Sequence, residues 1–173
     1  LDELEQALDA CRRYGILLVV DLHSPPGGRM PNRDLVLLNE RKYLDAFVAC
    51  WEKIARRFKG HRAVWGYDLV NEPVQSRPPG EGGIDYLDAQ VLAARAVRAI
   101  DPDMPIIIEV DHWCSAEGFK YIEPVDVPRV IYQVHMYWPG QFTHQGVHGS
   151  HVGVEYPGVI GGMQVDKEAL RRH

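Results

Sequence analysis

The chain has 173 residues, ample for one domain with a sizeable core. With 46% hydrophobic residues and a formal charge of −5 spread along its length, it reads as a soluble globular protein; no basic stripe points to nucleic acid and no apolar run is long enough to cross a bilayer. Its three cysteines, Cys11, Cys50 and Cys114, are odd in number and far apart, which indicates neither a zinc knuckle nor a dense disulfide framework.

Leu1, Leu4, Leu8 and Cys11 recur at three- and four-residue spacing with charges between them, predicting an amphipathic helix that Gly15 ends. The first residue is Leu1 and already lies inside this pattern, so the natural start and any signal peptide are expected to lie outside the chain. "ILLVVDLH" (16–23) is a continuous run of branched apolar residues, as in a strand buried on both faces of a parallel sheet. "SPPGGRMPNRD" is too rich in proline and glycine for either element and predicts a long loop.

From Glu40 to Phe58 a second helix aligns Leu44, Phe47, Val48, Trp51, Ile54 and Phe58 on one face, and Gly60 stops it. Cys11 and Cys50 both sit on helix stripes and are expected as small core residues, one disulfide remaining open. "VWGYDLV" (64–70) is the next strand and ends in Asn71-Glu72-Pro73. A helix from about Ile84 to Ile100 follows, then the strand "PIIIEV" and, after a short connection, the strand "VIYQVHMY" (130–137). A long loop rich in Gly and His runs to about Val165, and "DKEALRR" opens another helix.

Strand, loop, helix and strand in this rhythm predict βαβ units and a parallel sheet, with no linker that divides residues 1–173 into two domains. The long polar loops follow the C-terminal ends of the strands, the face that carries the working residues of a (β/α)₈ barrel. A complete barrel takes at least about 200 residues. Four strands therefore predict either part of a barrel or an open sheet whose edges are covered in another way.

The strand ends converge on polar and aromatic groups: Asp21 and His23, then Asn71 and Glu72, then Asp111, His112 and Trp113, then His135, Tyr137 and Trp138. Successive strands ending this way point to a working face rather than a structural edge. At period two, His135 and Tyr137 are expected on one side of their strand.

"DLHSPPGG", "WGYDLVNEP" and "HMYWPGQFTHQG" resemble the strand-end motifs of the family 5 glycoside hydrolases, the cellulase family. The resemblance covers essentially the whole chain in order and implies strands three to six of that family's (β/α)₈ barrel, with the flanking parts outside the chain. It implies that Glu72 is the general acid/base, which protonates the leaving glycosidic oxygen and later deprotonates the attacking water. It implies that Asn71 hydrogen-bonds the sugar 2-hydroxyl and that His23, His135 and Tyr137 are cleft residues. Trp113 and Trp138 are expected to be stacking platforms for sugar rings.

The resemblance further implies a retaining mechanism on a β-1,4-glucan, with a polysaccharide or oligosaccharide as partner, neither nucleic acid nor membrane, and no metal or organic cofactor. Secretion or export to a periplasm is also implied. Substrates left open are β-mannan, β-1,3-glucan and xyloglucan. The family's nucleophile is a Glu that ends the seventh strand, and no residue before His173 matches it, so the chain alone is expected to be inactive.

Glu109, within a strand, and Glu155, in a loop, are poor substitutes for that nucleophile. A non-catalytic half barrel that binds carbohydrate or pairs with a second copy is the rival reading. For Glu72 the bland alternative is a surface carboxylate, and for His23 a satisfied core histidine. His144, His148 and His151 have spacing that suits a helix face, but Gly146, Gly149 and Gly153 predict a polar loop rather than a metal site.

Overall fold

Helix α1 (Asp2–Arg13) carries Asp2, Glu3 and Glu5 in its first turn and Arg12 and Arg13 in its last, charges that complement the helix dipole at both ends. Gly15, at φ 68°, reverses the chain. Its N–H donates to Arg12 O at 3.3 Å, and Ile16 N–H donates to Cys11 O at 2.9 Å. This double bond pattern is the Schellman motif, which needs a left-handed residue that glycine adopts without a Cβ penalty. In this computed structural model, which describes residues 1–173, the chain forms two compact units, 1–134 and 135–173.

In the first unit, strand β1 (Leu18–Asp21) leads through a long loop to helix α2 (Arg41–Phe58), strand β2 (Val64–Asp68), helix α3 (Tyr86–Ile100), strand β3 (Ile106–Glu109) and strand β4 (Val130–Gln133). The four strands form one sheet in the order β1-β2-β3-β4, and every pairing is parallel. Asp85 caps α3 by accepting Leu87 N–H at 2.8 Å.

Alternation along the strands separates two faces. Val20, Tyr67, Ile106 and Ile108 face the helices and are buried. On the other face the register aligns Val19 with Gly66, Asp21 with Asp68, Ile107 with Ile131 and Glu109 with Gln133. Asp68 pairs in turn with Ile107, so Glu109 and Gln133 stand two residues further along than Asp21 and Asp68, and that face carries a staggered polar row of Asp21, Asp68, Glu109 and Gln133 near the C-terminal ends. Strand interiors fix where these four groups stand.

The helix stripe expected on α2 is the stripe that is buried: Leu44, Phe47, Trp51, Ile54 and Phe58 all pack into the core, with Val48 partly covered. Trp51 is fully buried, lies 5.5 Å from the Tyr67 ring, and donates its indole N–H to Leu69 O at 2.9 Å. It thus fixes the backbone just before Asn71 as well as filling the core. Trp51→Ala is expected to lower stability by about 3–5 kcal/mol, measured by urea unfolding. Cys11, Cys50 and Cys114 are free thiols, so the disulfide left open by the sequence does not form.

Strand β4 ends at Gln133, short of the expected Tyr137. Its partner explains the difference. Pairing with β3 runs from Ile106↔Val130 to Glu109↔Gln133, and β3 then turns away into residues 111–114, so the β3–β4 ladder stops at Gln133. The second unit also contains an antiparallel hairpin, β5 (Gly158–Ile160) and β6 (Met163–Val165), where a loop was expected. Gly161 and Gly162, at φ 58° and 80°, make its two-residue turn, which requires positive φ at both positions. The final helix, Lys167–Arg172, is capped by Asp166, whose carboxylate accepts Ala169 N–H at 2.9 Å.

Candidate active site

Beyond Asp68, strand β2 continues as Leu69 and Val70 and then presents Asn71 and Glu72, both half-buried. Glu72 has φ 48°, a left-handed conformation that a residue with a Cβ adopts at a cost of roughly 1–3 kcal/mol and keeps only where its surroundings over-determine it. The surroundings do so here. Glu72 N–H donates to Glu109 Oε2 at 2.7 Å. Arg29 Nη2 donates to Asn71 O at 2.9 Å and to Glu72 O at 2.8 Å.

Each of these partners is itself held. Gln90 is fully buried on α3, and its side-chain amide pairs with the Glu109 backbone in both directions, donating to Glu109 O at 2.9 Å and accepting Glu109 N–H at 3.1 Å. Gln133 Nε2 donates to Glu109 Oε1 at 2.9 Å and to Asp68 Oδ2 at 3.0 Å, tying β4 to β3 and β2. The Arg29 guanidinium lies 5.0 Å from the Trp113 ring centroid, within cation–π range.

Trp113 belongs to a left-handed turn over residues 111–114, with φ 58° at His112, 60° at Trp113 and 55° at Cys114. Such a turn costs roughly 1–2 kcal/mol per residue. Three contacts hold it. Asp111 Oδ1 accepts Gln75 N–H at 2.9 Å, Trp113 N–H donates to Pro73 O at 3.3 Å, and the Cys114 thiol donates to Gln133 O at 3.0 Å. The turn sets one face of the indole under Arg29 and leaves the residue 43% exposed.

The polar row below Glu72 has an unusual electrostatic state. Asp68 is 4% exposed and its Oδ1 has no hydrogen-bond partner. Burial first, then the neighbouring charges of Glu109 and Asp21, push the Asp68 carboxyl up to about 8. It therefore keeps its proton at neutral pH. At the end of β1, His23 Nδ1 and Asp21 Oδ2 share a hydrogen bond of 3.0 Å, and the imidazole is otherwise largely exposed. His23 is thus not a core histidine.

Asp34 joins the loops that follow β1 and β2. Its carboxylate accepts the Ser76 hydroxyl at 2.6 Å, the Ser76 N–H at 2.8 Å and the Asn32 amide at 2.9 Å. Burial works to raise its pKa, but these donors outweigh burial and hold it below the ordinary aspartate value.

In the second unit, the His135 and Tyr137 rings meet edge to face at 6.4 Å, so the two do stand together although they lie outside β4. Tyr137 also touches His144, at 5.0 Å between centroids, and His144 Nδ1 lies 2.9 Å from the Thr143 hydroxyl. Trp138 stacks on His173 at 4.7 Å. His148 and His151 are exposed.

Within the first unit, then, Asn71, Glu72 and Trp113 are linked through Arg29. The expected site omitted Arg29, Asp68, Glu109 and Gln133. A sequence signal for the last three exists: each apolar strand closes on a polar residue, Asp21, Asp68, Glu109 or Gln133. Arg29 had no such signal, because its partners are 42 and 43 residues away.

The chain matches the cellulases, glycosyl hydrolase family 5, over residues 1–167. It is 28% identical over 171 residues to endoglucanase C of Acetivibrio thermocellus, covering 95% of this chain and 48% of that protein. It is 26% identical over 147 residues to cellodextrinase A of Ruminococcus flavefaciens, covering 84% and 43% of the two chains. The chain thus spans about half the length of the curated relatives it matches. Among solved structures, the Pseudomonas stutzeri endoglucanase Cel5A in complex with cellobiose superposes with a TM-score of 0.62 at 29% identity, over 77% of this chain and 39% of that one. Four parallel strands, an Asn-Glu pair at a strand end and a family match over residues 1–167 agree: the chain belongs to glycosyl hydrolase family 5 and forms part of its (β/α)₈ barrel.

Proposed function

We propose that the chain is the part of a retaining β-1,4-glucan hydrolase that carries its acid/base, Glu72. The observation that supports this most is the left-handed Glu72 beside Asn71 at the C-terminal end of β2, with its backbone hydrogen-bonded on both edges. A surface carboxylate has no need of such restraint. Relatives named endoglucanase and cellodextrinase, and a 29%-identical endoglucanase complexed with cellobiose, favour a β-1,4-glucan as substrate.

In this reading Glu72 gives its proton to the glycosidic oxygen as the bond from that oxygen to the anomeric carbon breaks. A second carboxylate, about 5 Å from the first, attacks the anomeric carbon and forms a covalent glycosyl ester. The now ionised Glu72 then takes a proton from water, whose oxygen displaces the ester and releases the sugar with its configuration retained. The nucleophile is proposed to lie on the family's seventh barrel strand, outside these four. Asn71 donates to the sugar 2-hydroxyl region, where contacts tighten at the oxocarbenium-like transition state. His23 and Trp113 in the first unit, and His135, Tyr137 and Trp138 in the second, are the remaining proposed sugar contacts.

The test is hydrolysis by the protein at its natural length, with reducing ends counted on carboxymethyl cellulose, β-mannan, β-1,3-glucan and xyloglucan. Highest kcat/KM on the β-1,4-glucan is the expected result. Preference for another of the four replaces the substrate class, and no turnover on any of them overturns the enzymatic reading.

A further inference from the structure

The peptide unit between Asn71 and Glu72 is planar and trans, so its C=O and N–H point in opposite directions. The first is taken by Arg29 and the second by Glu109. Arg29 also takes the next carbonyl, that of Glu72, with the same Nη2. Both peptide planes that flank the Glu72 Cα are therefore fixed, and with them the φ of 48°. The direction of the Glu72 side chain follows from that backbone.

Neither gripping group is free to drift. Arg29 comes from the loop after β1, rests on Trp113, and donates through Nη1 to Arg33 O at 3.2 Å. Glu109 is fully buried at the end of β3, its backbone paired with Gln90 and its second carboxyl oxygen with Gln133. Two elements besides β2, the loop after β1 and strand β3, thus converge on one peptide group. Ordinary continuation of a strand into a loop does not require this.

We propose that Arg29 and Glu109 are positioning residues: they clamp the Asn71–Glu72 peptide on its two edges, hold Glu72 in the left-handed conformation, and so aim its carboxyl at the glycosidic oxygen. The proposal rests on the reading of Glu72 as acid/base. Glutamine at 109 offers one acceptor where two donors, Glu72 N–H and Gln133 Nε2, must be met. Lysine at 29 keeps the charge but has a single nitrogen, so it loses the Nη1 bond to Arg33 O and the planar group that rests on Trp113, which together aim Nη2 at the two carbonyls.

Two readouts test it, with Glu109→Gln, Arg29→Lys and Arg29→Met as variants. In the 173-residue chain, amide hydrogen exchange followed by NMR should become about 10- to 100-fold faster at Glu72 in Glu109→Gln, the range for one lost bond to a charged group. Exchange at Tyr67 and Leu69, whose N–H groups donate to Pro105 O and Ile107 O, should stay unchanged. A variant that unfolds would accelerate all three. In the natural-length protein, each variant should lose more kcat/KM on unactivated glucan than on dinitrophenyl cellobioside, as is expected of Glu72→Ala, and should add little to the loss when combined with Glu72→Ala.

Equal losses on both substrates, additivity with Glu72→Ala, or unchanged exchange at Glu72 would overturn the clamp. If Glu72→Ala itself shows no dependence on the leaving group, the acid/base reading is what fails. The exchange data then still decide whether the clamp exists.

Discussion

Glu72→Ala in the natural-length protein is expected to reduce kcat/KM on unactivated β-1,4-glucan by about 10³-fold, within the range a positioned general acid contributes. That factor corresponds to about 4 kcal/mol of transition-state stabilisation. On dinitrophenyl cellobioside the expected loss in the same step is roughly tenfold or less, because a stabilised phenolate departs without a proton and has little use for an acid. The contrast between substrates carries the prediction. Equal losses would mean that Glu72 supports the fold or binds sugar and gives no proton.

The second large effect concerns stability and its pH dependence. Asp68 is pushed up to about 8 from the ordinary aspartate value of 3.8 by burial and by Glu109 and Asp21. Between these values the folded protein holds a proton that the unfolded chain releases. Stability contributed at Asp68 is therefore fully present below the unfolded value and is lost as pH rises toward the folded one.

Asn has the same shape and no proton to lose. Asp68→Asn should be close to neutral near about pH 4.5 and should stabilise the chain by on the order of 3–5 kcal/mol near about pH 8, from ~1.36 kcal/mol per pH unit over the window. Urea unfolding of both proteins at the two pH values measures it. Parallel pH curves would show that Asp68 is ionised in the folded state.

The order of elements was legible because the physics behind it is local. Branched apolar runs mark β1 to β4, and the stripe from Leu44 to Phe58 marks α2, since each reports burial of its own face. The end of β4 was not legible. Its sequence continues to suit a strand to Tyr137, but β3 withdraws after Glu109, and a strand lasts only as long as its partner. The hairpin at 158–165 was missed although "VIGGMQV" carries the two-glycine signal, because the surrounding glycines and histidines had already marked the region as loop.

At the site, Glu72 and Asn71 stood out as polar residues beyond an apolar strand. The residues that hold them did not. Glu109 sits in "PIIIEV" as one acid in a buried strand, a pattern that says nothing of a partner; its geometry gives it a backbone N–H to hold. Arg29 lies in a loop whose composition predicts only irregular structure, and its contacts are set by how β1 and β2 lie side by side. Local pattern reports which groups reach the working face. It does not report which of them touch.

The most direct test of Glu72 as the acid/base of a retaining hydrolase is azide rescue of Glu72→Ala on dinitrophenyl cellobioside, with the product examined by NMR. Azide attacks the glycosyl ester without needing a base. The account predicts that azide accelerates turnover and yields the β-glycosyl azide. Turnover indifferent to azide, or an azide of α configuration, would contradict it.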